Sequence, residues 1–378
     1  MGAGVLTAVG EEGRLPSGFE RVDGALTCRG VALEEVAARF GTPLYVYDVA
    51  GVEARVRRFQ RAFSGIEFLL AYAAKANGSL ALLNRIAALG AGADIVSHGE
   101  LFRALRAGVP ADRIVFAGVG KREEELVAGL EAGILAFHVE SAGELALLAE
   151  VAGRMGKSAP LSLRVNPDID SPTPHAYTRT GHAASKFGIP LGEAEALYRE
   201  HFGDPRLDFR GIAVHIGSQI VEPEPYLNAL DAVLGIVDRL TADGLTLGYL
   251  DLGGGFGVGY DGEEGFDLDR LTEAVTSRLL PRGLRLILEP GRAIVGESGI
   301  LLTRVLFVKQ AGGKTFVVTD GGMTELLRPS HYGGFHRIVP VRDRAGAPAV
   351  VSDIVGPICE TGDFLALDRP LPLPEPGD

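Results

Sequence analysis

From Ile66 onward, short apolar runs rich in strand-forming residues alternate with segments of helical period, and the alternation repeats eight times. The runs are 66–72, 93–97, 113–117, 134–138, 161–165, 211–215, 247–252 and 285–289. Between them lie segments such as 79–89, 99–107, 121–131, 141–155, 226–242 and 267–280, whose apolar residues recur three and four apart. Eight β/α units of this kind predict a (β/α)8 TIM-like barrel, and the near-continuous apolar character of the runs suits parallel strands covered on both faces. A doubly wound open sheet satisfies the same alternation. With 378 residues, the chain is long enough for a barrel and an appendage.

After Gly299 the texture changes. The runs 300–308, 314–319, 337–342 and 349–355 are rich in Val, Ile and Thr and are punctuated by Gly or Pro with no helical segment between them, which predicts a C-terminal β-sandwich-type domain. The stretch 18–47 is strand-like at both ends around a short helix, 31–40, and is expected to complete that domain with N-terminal strands. The expected boundaries are 1–40 for the N-terminal segment, 41–295 for the barrel and 296–378 for the β-domain, truncated at its C-terminus.

Bulk properties exclude several roles. A net charge of −12, with no basic run longer than Arg57–Arg58, argues against nucleic acid as a partner. Cys28 and Cys359 have neither the spacing of a metal or redox site nor the density of a disulfide scaffold. Glu11 and Glu12 stand where a signal peptide needs apolar residues, and no window reaches the roughly 18 apolar residues of a membrane span. The expectation is a cytoplasmic, soluble protein with no membrane partner and no metal.

In a barrel the working groups sit at the C-terminal ends of the strands, and reactive residues cluster there. Lys75 follows the first run in AYAAKAN, His215 ends the sixth in HIGSQ, the glycines of DLGGGFG follow the seventh, and Glu289 opens EPGR after the eighth. A lysine past a strand is ordinarily a solvated cap. Here Ala73, Ala74 and Ala76 give it a poorly solvated setting, which is expected to favour the neutral amine that attacks an aldehyde. His215 is either a satisfied core histidine or an imidazole lying flat on an aromatic ligand, with Ser218 and nearby amides as phosphate donors. Gly254, Gly255 and the EPGR turn form a plausible phosphate cradle, although a glycine-rich turn alone is a weak sign. Glu289 either pairs with an arginine or holds a proton on a pyridine nitrogen. Arg328 and Tyr332 in LRPSHY, and Cys359 beside Glu360 in CETGD, each have routine structural explanations when taken singly.

Taken together, AYAAKAN, NPDIDSPTPHAYTRTGHAASKFGI, HIGSQ, DLGGGFG, EPGR, LRPSHY and CETGD resemble the motif series of the diaminopimelate decarboxylase family, in order, from about Gly18 to Asp378. The resemblance implies a fold-type-III enzyme dependent on pyridoxal 5'-phosphate that converts meso-2,6-diaminopimelate to lysine and carbon dioxide. It also implies a homodimer with shared active sites. Carried over residue by residue, Lys75 bears the cofactor as a Schiff base. Asp94, His215, Ser218, Gly254, Gly255, Glu289, Gly291 and Arg292 complete its site. Arg292, Arg328 and Tyr332 hold substrate carboxylates, while Cys359, as proton donor, and Glu360, on the distal amine, come from the partner subunit.

The sequence departs from the family in two places: Thr361 stands where CESGD has serine, and the chain ends before the family's GAY segment. The same scaffold also serves decarboxylases of ornithine or arginine, and a cofactor-binding homologue without activity shares the motifs. A racemase fits EPGR and CETGD less well.

Overall fold

The computed structural model describes residues 15–169, 175, 180, 181, 185–260, 265–344 and 346–378. Most of NPDIDSPTPHAYTRTGHAASKFGI therefore lies outside the described residues. The chain divides into two compact units: one formed by residues 52–258 and 265–296, the other by the segments up to 51 and from 297 onward, with 259–264.

In the first unit all eight expected runs form parallel strands: Phe68–Ala73, Gly92–Ile95, Ile114–Phe116, Ala136–Val139, Ala159–Asn166, Leu207–Val214, Tyr249–Asp251 and Arg285–Leu288. Each pairs with the next, and the eighth returns to the first, with Leu286 opposite Phe68 and Leu288 opposite Leu70. That closure makes the sheet a barrel and rules out the open alternative. The expected helices appear at Leu80–Ala88, His98–Arg106, Glu123–Ala132, Ala142–Met155, Glu224–Ala242 and Leu268–Leu279. An additional helix, Leu191–His201, lies between the fifth and sixth barrel strands. Ser97, Ser141 and Asp267 each accept a hydrogen bond from the backbone three residues on, which starts their helices.

Side chains alternate along a strand, so each barrel strand sends every second residue inward. Leu69, Ala71, Val115, Ala136, Tyr249 and Ile287 pack there as one buried apolar cluster. Two residues further toward the C-terminal ends, the same alternation carries Ala136 to His138, Tyr249 to Asp251 and Ile287 to Glu289. The barrel interior thus turns from apolar to ionisable within one step, all three residues being buried.

The second unit is built of β-sheets that include N-terminal strands, as expected. Phe19–Val22, Ala25–Cys28 and Val31–Ala32 form an antiparallel sheet, and Leu44–Tyr47 pairs with Gly299–Leu302. Val305–Ala311, Lys314–Thr319, Ala349–Val355 and Phe364–Pro372 make a four-stranded sheet. The run 337–342 is not a strand: Pro340 interrupts it, and only Arg342 bridges, to Ala25. Conversely, Phe364–Pro372 is a strand despite Pro370 and Pro372, because it lies at the sheet edge where a missing donor is tolerated.

Candidate active site

Lys75 sits in the short turn Ala74–Ala76 that follows the first barrel strand, and its Nζ donates to Asp94 Oδ2 on the second strand at 2.5 Å. Burial pulls the amine down, but the carboxylates of Asp94 and Glu289 push it up and prevail, so its pKa lies above the ordinary lysine value. The expected preference for a neutral amine is thereby reversed: the desolvation of Lys75 is outweighed by acids that the local sequence does not reveal. Asp94 is fully enclosed. Burial and the Glu289 charge raise it to about 6, against the opposing pull of Lys75, and its Oδ1 has no hydrogen-bond partner.

Glu289 ends the eighth strand beside a histidine that sequence reasoning passed over. His138 Nδ1 lies 3.4 Å from Glu289 Oε1, and His138 Nε2 lies 3.6 Å from Asp251 Oδ2. Burial works to raise Glu289, but His138, Lys75 and His215 more than offset it and hold the acid at about 2. Asp251 moves the other way, pushed well up by burial and by the Glu289 charge. Donor atoms of this trio fall within 4.8 Å of one another, a spacing that a buried cation also satisfies; here the imidazole stands between the two acids.

His215 follows the sixth strand. Burial and the Arg164 charge lower it to about 3, and its Nδ1 accepts from the Gly254 backbone at 3.1 Å. A neutral ring with its proton on Nε2 follows, which suits stacking on an aromatic face. The same bond ties the Gly254 N–H, in the expected phosphate cradle, to the His215 ring. The turn itself is tightly fixed: Gly253 N donates to Asp251 Oδ1, and Tyr226, stacked on Phe256 at 5.1 Å, donates to Gly254 O. Gly255 has φ +94°, and a Cβ there would lie 2.0 Å from Gly217 O in the HIGSQ loop. Ser218 lies in that loop, half-buried, while Gly291 and Arg292 begin the short helix Arg292–Val295 beside Ala73 and Ala76.

Gly255→Ala is therefore expected to lose about 1–3 kcal/mol of stability to backbone strain alone, with weaker cofactor binding in addition. Urea denaturation and cofactor titration check this, with Gly65→Ala, where nothing approaches within 4 Å, as the neutral control.

A second group missed by sequence reasoning is Arg164, buried at the end of the fifth strand with Nη1 2.8 Å from Glu140 Oε1. Its charge acts on both Lys75 and His215. The available sign was a charged residue at inward parity within an apolar run, as in LSLRV and AFHV.

The remaining predicted residues belong to the β-unit. Arg328 opens the helix Arg328–Tyr332, lies 4.0 Å over the Tyr260 ring and donates to Phe335 O at 3.0 Å. Tyr332 packs edge-on to His331. Cys359 and Glu360 are exposed on the loop 356–363. The aspartate of CETGD is that loop's anchor: buried Asp363 accepts from Met323 N at 2.6 Å and from Ile358 N at 2.7 Å.

The barrel residues fit pyridoxal phosphate. They offer one amine, a charged acid with a buried Oε1 lacking a hydrogen-bond partner, a neutral imidazole and a tight turn of three consecutive glycines, Gly253 to Gly255. The family profile described as "Pyridoxal-dependent decarboxylase, pyridoxal binding domain" matches residues 49–296. The chain is 47% identical to the diaminopimelate decarboxylase of Pseudomonas aeruginosa over 357 residues, covering 94% of this chain and 86% of that protein. It is 46% identical to the one from Aquifex aeolicus over 352 residues, with 93% and 83% covered. The crystal structure of Helicobacter pylori diaminopimelate decarboxylase complexed with L-lysine superposes with a TM-score of 0.87 at 40% identity, covering 92% of this chain and 86% of that one.

Proposed function

The chain belongs to the pyridoxal-dependent decarboxylase family that includes the diaminopimelate decarboxylases, and from that premise we propose that it converts meso-2,6-diaminopimelate to L-lysine and carbon dioxide. The observation that carries the reading is the arrangement of Lys75 against buried Asp94, with His138, Asp251 and Glu289 buried at the same end of the barrel, in a chain so similar to enzymes of that name. When bound, pyridoxal phosphate supplies an electron sink for the pair left behind by the departing carboxylate. Lys75 is the attachment point. Charged Glu289 favours a proton on the ring nitrogen, neutral His215 offers a flat apolar face, and Ser218, Gly255, Gly291 and Arg292 bind the phosphate end.

Orientation toward the substrate falls to Arg292, Arg328 and Tyr332, which hold its carboxylates; guanidinium forks suit that task because they bind a carboxylate bidentately. Cys359 as proton donor and Glu360 as partner of the distal amine act from the second subunit of a homodimer. The exposure of both residues supports that role. A cytoplasmic setting accords with two unpaired cysteines, and among the described residues no helix is long and apolar enough to cross a membrane.

The test is direct: purified protein with the cofactor and meso-diaminopimelate should release carbon dioxide and lysine in equal amounts. Faster release from ornithine or arginine would overturn the substrate assignment, and no release from any of the three would overturn the activity.

A further inference from the structure

His138 is one of the buried interior residues that the reading above leaves without a task. Its backbone is clamped: buried Lys121 donates to His138 O at 2.6 Å, to Gly118 O at 2.9 Å and to Glu144 Oε1 at 2.7 Å. Its ring spans the barrel interior from the fourth strand to the seventh and eighth, with one nitrogen facing Glu289 and the other facing Asp251. Asp251 is itself pinned by the Gly253 amide at 2.8 Å. None of the facing atoms, His138 Nε2, Asp251 Oδ2 and Glu289 Oε1, has a satisfied hydrogen bond. A histidine that merely filled space has no reason to set both nitrogens against carboxyls in an interior where unmatched polar atoms are costly.

We propose that His138 is a positioning residue for Glu289: its imidazole ties the Glu289 carboxylate to the Asp251 carboxyl and keeps Glu289 charged for the cofactor's ring nitrogen. The proton count closes simply. Asp251 keeps its proton and offers it to His138 Nε2, and His138 Nδ1–H donates to Glu289, so the chain of three holds one negative charge on the residue nearest Lys75 and His215. Burial and the Glu289 charge favour the protonated Asp251 that this requires. The other titratable groups that act on Glu289 or feel its charge are Asp94, Lys75, His215 and Tyr249, the last on the same strand as Asp251, and Arg164 acts on Lys75 and His215 beside it. They remain unchanged in the test variants. The inference rests on the cofactor role given to Glu289 above.

Two variants separate positioning from packing. His138→Leu fills the space without a donor, whereas the side-chain amide of His138→Asn places a donor where Nδ1 now stands. In full-length protein carrying carbon-13 glutamate, the Leu variant should gain one glutamate carboxyl that titrates between about pH 5 and 8, while Asn and the parent should not. In the cofactor-loaded enzyme, Leu should lower kcat about 10–100-fold, the worth of a hydrogen bond to a charged group, and KM should change less than about threefold. His138→Asn should recover most of the loss. A Leu variant whose glutamate carboxyls titrate as in the parent overturns the proposal.

If the Leu variant does not fold, the reciprocal measurement decides. In nitrogen-15 histidine-labelled protein, Glu289→Gln should move both ring-nitrogen signals of His138, and unmoved signals overturn the proposal. Neither isotope measurement needs substrate or turnover, so failure of the assigned decarboxylation and failure of this inference give different results.

Discussion

Replacing Lys75 by alanine is expected to reduce turnover on the order of 10³-fold or more, and to remove the visible absorbance that a lysine-bound cofactor gives the parent. The chain has six lysines: Lys75, Lys121, Lys157, Lys186, Lys309 and Lys314. Lys121 is spent on Glu144 and two carbonyls, Lys157 donates to Leu130 O, and Lys314 pairs with Asp353. Lys309 belongs to the β-unit, and Lys186 stands beside Phe187. Among the described residues, only Lys75 sets its amine against a buried acid at the end of a barrel strand. Borohydride reduction of the loaded parent followed by peptide mapping should therefore label Lys75, and a label on another lysine would refute the assignment.

The same variant carries a pH signature. Asp94 has its pKa raised to about 6 from 3.8, so the stability linked to its proton is fully present below 3.8 and is lost as pH rises through the folded value. Without Lys75 the folded value moves higher still, because the ammonium was the charge that opposed burial. The variant should consequently differ little from the parent at pH 5. Between pH 6 and 8 it should fall behind by up to about 1.4 kcal/mol per pH unit, the slope for one proton. A stability difference that does not vary with pH would show that Lys75 and Asp94 are not coupled.

What the sequence made legible follows from the physics of each element. The barrel strands stood out because parallel strands covered on both faces must be apolar throughout, and all eight appear within a few residues of their expected places. Phe364–Pro372 was hidden because prolines mark strand breaks everywhere except at an edge, where this strand lies. The helix Leu191–His201 follows a long polar stretch and carries polar residues among its apolar ones, so its period stands out little.

At the site, residues just beyond strand ends were found, since position along the chain together with the flanking motifs singled out Lys75, His215 and Glu289. Of the residues inside strands, Asp94 was named through the family resemblance and the others were not. His138, Arg164 and Asp251 each occupy one polar place in an apolar run, and only the closed barrel reveals that their parity points inward to a common centre. The charge state of Lys75 was misjudged for the same reason: its neighbours in sequence are alanines, while its neighbours in space are acids on the second and eighth strands.

Glu289→Gln tests that centre without changing its shape. The amide keeps the volume of the acid but loses the negative charge, and two consequences should appear together. Turnover should fall about 10²–10³-fold, the usual loss when one preorganised electrostatic group is removed from an enclosed site, because a neutral amide cannot stabilise a proton on the cofactor's ring nitrogen. The other consequence needs no catalysis. The Glu289 charge is one of the forces raising Asp94 and Asp251, so its removal should shift the Asp94 ionisation from about 6 toward the ordinary aspartate value. Carbon-13 aspartate spectra of the full-length protein would record that downward shift. Burial alone would leave Asp94 where it is, so an unmoved signal would mean that the two acids do not share a field, and Glu289 would then lose its place as the charge around which this barrel interior is arranged.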